Sequence, residues 1–171
     1  MRAGPVIAIA IFGLVASAAA AAAAISSKDK QFVTKAVQAG KAEVAAGQLA
    51  TSKSSSDDVK KFAQHMVDDH TKAGAELEQI AQSKGLTVPS DTDSAHKKLA
   101  KRLDAAQGAD FDRLYAKEAG VKDHSGAVKL FEDEAKNGKD PDLKAFAAKT
   151  LPTIKDHYEM AKNLAGSLKK S

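Results

Sequence analysis

Three of the five histidines in this 171-residue chain follow an aspartate, at Asp69-His70, Asp123-His124 and Asp156-His157. Imidazole binds transition metals and exchanges a proton near neutral pH. A carboxylate nearby can orient the ring or balance its charge. Adjacent residues of a helix point about 100° apart, so an aspartate does not readily chelate the same ion as the histidine beside it. The pairs therefore divide into an inward imidazole and a flanking acid. Asp69, Asp123 and Asp156 are expected on the flanks, either as acceptors for an imidazole of a neighbouring helix or as solvated charge. His65 lies about 140° around the helix from His70 and is expected to face outward toward Asp69. His96 reads as a surface residue, and Glu118 as a spare carboxylate.

The elements that would carry these residues are helices. Glycine, proline and capping residues mark four long segments, at about Lys28 to Lys53, Asp57 to Lys84, Asp110 to Lys136 and Pro141 to Leu168. A shorter helix, about Ser94 to Ala106, lies in the long connection between the second and third. Pro152 is expected to kink the fourth. Apolar residues recur at alternating steps of three and four, as in Val59, Ala63, Met66, His70, Ala73, Leu77 and Ile80. The fourth segment repeats this in Leu143, Ala147, Thr150, Ile154, His157, Ala161, Leu164 and Leu168. The first carries Phe32, Ala36, Ala39, Glu43, Ala46 and Ala50, and the third Val121, His124, Val128, Phe131 and Ala135. Such seams predict an all-α four-helix bundle.

Each seam contains one ionisable residue near mid-helix: Glu43, His70, His124 and His157. Glu43 and His70 stand roughly 18 and 22 Å from the turn that joins their helices, and His124 and His157 roughly 22 and 27 Å from theirs. All four are expected in one central layer. One chemistry for that layer is a metal site of three imidazoles and a carboxylate, suited to a divalent transition ion, with Asp69, Asp123 and Asp156 as outer acceptors. The other is a buried hydrogen-bonded network that uses hydroxyls such as those of Thr150 or Tyr115. No cysteine is present, which excludes disulfides, thiolate ligands and a cysteine nucleophile. E-x-x-H, H-E-x-x-H, G-x-S-x-G and a phosphate-binding glycine loop are absent too, so a paired di-iron site and nucleophilic catalysis are not indicated.

Residues 1–24 combine Arg2, an apolar core and small-residue cleavage triplets, the pattern of a secretory signal peptide or an N-terminal anchor. A periplasmic or secreted location is expected. The net charge of +4 is interleaved rather than striped, and its basic doublets lack neighbouring aromatics. This argues against nucleic acid. Weak attraction to an anionic membrane surface, or docking on another envelope component, remains compatible with it.

The blocks "FVTKAVQAGKAEVAAGQLA", "VKKFAQHMVDDHTKA", "GADFDRLYAKEAGVKDHSGAVKLFEDEA" and "DLKAFAAKTLPTIKDHYEMA" resemble an exported bacterial family, domain of unknown function 4142. The resemblance runs from about Phe32 to Leu164. It implies a ferritin-like fold over residues 28–168, with a crossover connection, which spacing alone leaves open. It supplies no activity and no ligand role. The expected function is that of an exported helical-bundle protein, non-enzymatic, with a metal-binding or redox role as the alternative.

Overall fold

The computed structural model describes residues 24–169; residues 1–23 of the expected signal or anchor segment lie outside them. Four long rods pack side by side. The first two are α1 (Ser27–Lys53) and α2 (Asp57–Ser83). A connection carrying α3 (Ser94–Ala105) leads to the third rod. That rod is built from α4 (Gly108–Leu114), a π-helical segment (Tyr115–Lys122) and α5 (Asp123–Asn137). The fourth is α6 (Pro141–Ser167), which continues past Pro152.

Local chemistry sets the ends. Ser26, Ser56, Asp93 and Asp140 cap α1, α2, α3 and α6 by accepting backbone N–H groups. Pro141 occupies the first turn of α6, where no N–H is needed. At the end of α2, Gly85 takes φ +66°. There Gly85 N–H donates to the Gln82 carbonyl (3.0 Å) and Leu86 N–H to that of Ala81 (2.9 Å). This is the left-handed glycine stop expected of a Schellman cap.

Contacts at the two ends of the bundle give the chain direction. Near the start of α1, Asp29 accepts from the backbone N–H groups of Lys139 (2.9 Å) and Asp140 (3.2 Å), which holds the α5–α6 turn. Lys84, just after α2, bridges to Asp140 and Asp142 at 2.8 and 2.7 Å. At the opposite end Lys53 donates to the carbonyls of Leu103 and Asp104, just before α4. The chain between α2 and α4 therefore runs the full length of the bundle. α2 and the third rod are parallel, and so are α1 and α6.

The buried apolar residues form two clusters rather than one. The first gathers Phe32, Val33, Leu77, Phe131, Leu143, Phe146 and Ile154. The second gathers Val59, Phe62, Met66, Leu103, Phe111, Tyr115 and Leu164. Glu43, His70, His124 and His157 belong to neither; each falls, along its own helix, between residues of one cluster and residues of the other. Within the second cluster α1 and α2 touch closely: a Cβ on Gly47 would stand 2.8 Å from Val67 Cγ2 and 3.0 Å from the Ala63 carbonyl. Among the described residues no helix is long and apolar enough to cross a membrane.

The third rod departs from the expected seam. Its buried residues are Phe111, Asp112, Tyr115, Ala116, Ala119 and Gly120, then His124, Ala127, Phe131 and Glu134, while Val121, Val128 and Ala135 are half-buried. Through the π segment they recur at successive steps of four, from Asp112 to Ala116, Gly120 and His124, and beyond it at three and four. The wider π turn absorbs the extra residue. An uninterrupted α-helix would rotate one of the two halves off the core.

Candidate metal centre

Four elements each deliver one member of the central layer: Glu43 from α1, His70 from α2, His124 from the start of α5 and His157 from α6. Glu43 Oε2 lies 2.9 Å from His70 Nδ1, and its Oε1 lies 3.7 Å from His124 Nδ1. The imidazole centroids are 5.3 to 5.6 Å apart in all three pairings. One nitrogen from each ring lies within 4.8 Å of the other two. Glu43, His124 and His157 are 4%, 1% and 3% exposed, and His70 is half-buried.

Each ring has one nitrogen fixed by a partner. His70 Nδ1–H donates to Glu43. His124 Nδ1–H donates to the Ala119 carbonyl at 3.2 Å, a bond that spans five residues and so belongs to the π turn. His157 Nε2–H donates to Asp69 Oδ2 at 2.8 Å. The remaining nitrogens are His70 Nε2, His124 Nε2 and His157 Nδ1. The first two face each other at 3.3 Å, and the third is buried without a hydrogen-bond partner. Two ring nitrogens at that distance need a proton or a cation between them. On a tetrahedral ion with Zn–N bonds of about 2.0–2.1 Å, ligand nitrogens stand about 3.3 Å apart. The donor set fits a metal ion without rearrangement of this pair.

The electrostatics agree. Burial would raise the Glu43 carboxyl, but the positive character of His70 and His124 outweighs it and holds the group at about 2. Burial would lower His70; the charge of Glu43 and its hydrogen bond overcome this and raise it above the ordinary imidazole value. For His157 burial prevails, aided by the neighbouring imidazoles against the pull of Asp69, and lowers it to about 4. His157 is therefore neutral near pH 7, with its Nδ1 lone pair open.

Of the three flanking acids, Asp69 reaches across from α2 to the α6 imidazole, as expected of an outer acceptor. Asp123 turns toward His96 instead, 3.9 Å from its Nε2, while Asp93 holds His96 Nδ1 at 2.7 Å. Asp156 is exposed on α6, with no ion pair to an imidazole among the described residues. His65 is exposed, but Asp69 is engaged by His157 rather than by it. His96 is half-buried, not a free surface residue. Glu118 pairs with Lys122 at 3.3 Å and lies 3.9 Å from Arg102, away from the layer. Tyr115 packs its ring near Phe62 and Phe111 in the second cluster. The Ala119 carbonyl is the functional group that sequence reasoning missed. The sequence carries no signal for it, since alanine or glycine occupies both candidate faces of the segment.

Sequence comparison over residues 14–164 matches one family model, Domain of unknown function (DUF4142). The chain belongs to this family. No curated protein matches the DUF4142 chain. Two solved structures resemble it. A DUF305 fragment from Deinococcus radiodurans superposes with TM-score 0.73 at 13% identity, over 84% of this chain and 98% of that one. CopM in its Cu(II)-bound form superposes with TM-score 0.69 at 18% identity, over 81% and 96%. At these identities the likeness is one of fold, and both relatives fit a helical bundle.

Proposed function

We propose that this DUF4142 protein is a non-enzymatic metal-binding bundle in which His70, His124 and His157 hold one divalent late transition ion, copper or zinc. The observation that carries the reading is the division of labour within each ring. One nitrogen is fixed by Glu43, by the Ala119 carbonyl or by Asp69, which leaves His70 Nε2 and His124 Nε2 facing each other at 3.3 Å and His157 Nδ1 buried without a hydrogen-bond partner. Metal-binding histidines usually carry this kind of outer partner. Glu43 then acts behind the ligands: it orients the His70 ring and supplies a negative charge against the cation. Copper and zinc both accept imidazole ligands, and CopM, similar in fold, was solved in a Cu(II)-bound form. The crossover between α2 and the third rod supports reading the bundle as ferritin-like. The sequence of residues 1–24 supports export, so that the ion would be bound outside the cytoplasm.

The test uses mature protein purified without a histidine tag. Calorimetric titration with Cu(II) and Zn(II), paired with elemental analysis after desalting, should give one ion per chain. His124→Ala and His157→Ala should each abolish it. A wild-type chain that retains neither ion would overturn the proposal and leave the layer as a hydrogen-bonded network.

A further inference from the structure

On the side of the layer nearer the first cluster, α1 and α2 separate. Small residues at their interface, Ala36, Gly40 and Gly74 among them, leave a slot of about 460 Å³. A Cβ on Gly40 or Gly74 would meet nothing within 4 Å. The slot passes between the two helices to the inner faces of the opposite pair, where Phe131, Phe146 and Ile154 form its floor. Its walls are overwhelmingly apolar. Its inner polar boundary is Glu43 with His70. Lys41 and Glu78, both lining residues, pair between the two helices at 3.4 Å.

We propose that this slot is a binding site for a small molecule with an apolar, aryl or alkyl body, neutral or cationic. The volume lies within the range of small-molecule pockets, which are mostly apolar with a few placed polar groups. Apolar walls hold water poorly. The negative charge of Glu43 at the inner boundary, in a low-dielectric setting, disfavours an anion. The site does not depend on a bound ion, so it stands or falls separately from the metal reading. Its contact with His70 would let an occupant sense the state of the imidazole layer.

The test is a fluorescence titration of metal-free protein with two dyes that share a skeleton. N-phenyl-1-naphthylamine is neutral and apolar with one N–H; 8-anilino-1-naphthalenesulfonate adds an anionic group. The neutral dye should bind saturably, one per chain, and at least about tenfold tighter than the sulfonate. Gly74→Leu and Gly40→Leu place a side chain in the open space and should each weaken the neutral dye at least about tenfold while the melting temperature holds. Non-saturable binding of the neutral dye, equal or tighter binding of the sulfonate, or unchanged affinity in folded forms of both leucine variants would overturn the assignment. The two-variant design keeps the test decisive if one of them fails to fold.

Discussion

Replacing His70 with leucine should unpair a buried charge. Glu43 is 4% exposed, and the one hydrogen bond it accepts comes from His70 at 2.9 Å. Its other oxygen has no hydrogen-bond partner and stands 3.7 Å from His124. Leucine is close to histidine in size but donates nothing, so the carboxylate would lose its bond without gaining water. Breaking a buried pair by removing one partner costs about 3–5 kcal/mol. For a domain of this length about 1 kcal/mol moves the midpoint by about 2–4 °C. Calorimetry of metal-free protein at pH 7 should therefore show His70→Leu melting at least about 6 °C below wild type. The double variant Glu43→Leu/His70→Leu removes both polar groups and should recover most of that loss, because an apolar pair of similar volume often matches a buried ion pair. A wild-type melt for His70→Leu, or a double variant as unstable as the single one, would refute the claim that the carboxylate depends on this imidazole.

Asp69→Ala frees His157 Nε2 and lets the ring turn; metal affinity by calorimetric titration should fall about 10- to 100-fold, while circular dichroism stays unchanged. Deleting Val121 removes the residue that the π turn absorbs; the segment should become ordinary α-helix with both halves still on the core, so that calorimetric titration still finds the ion site and helix content is retained. Glu134, 1% exposed, is raised to about 7 by burial and by the adjacent Asp29. A raised folded value gives stability that is complete below the unfolded value near 4.5 and lost as pH rises through about 7. Wild type should therefore lose melting temperature from pH 5 to pH 8. Glu134→Gln should flatten that slope and melt higher than wild type at pH 8; an unchanged slope would exclude Glu134 as its source.

Much of this was legible in the chain. Ser26, Ser56, Asp140 and Gly85 announce helix ends because their effects are local, and the observed helices lie within about two residues of the expected bounds. The meeting of Glu43, His70, His124 and His157 was also legible, since helical rise converts residue counts into heights. Partnerships between helices were not. Asp69 and Asp156 occupy equivalent places beside their histidines, yet Asp69 faces α6 while Asp156 faces solvent, and that follows from which rods are neighbours. The π turn was hidden for another reason. "YAKEAGVKDH" carries alanine or glycine on both candidate faces, so its pattern fits two registers, and packing at both ends chooses between them.

The split core bears on how the chain finds its alignment. In a continuous apolar seam, a helix that slips by one turn meets residues of much the same kind. Here a slipped rod would drive an imidazole or a carboxylate into Phe131, Ile154 or Met66, where a polar group has no partner. The central layer thus works as a detent. It contributes little to the depth of the native well and much to its narrowness, and the four rods lock at the one height where their polar residues find each other.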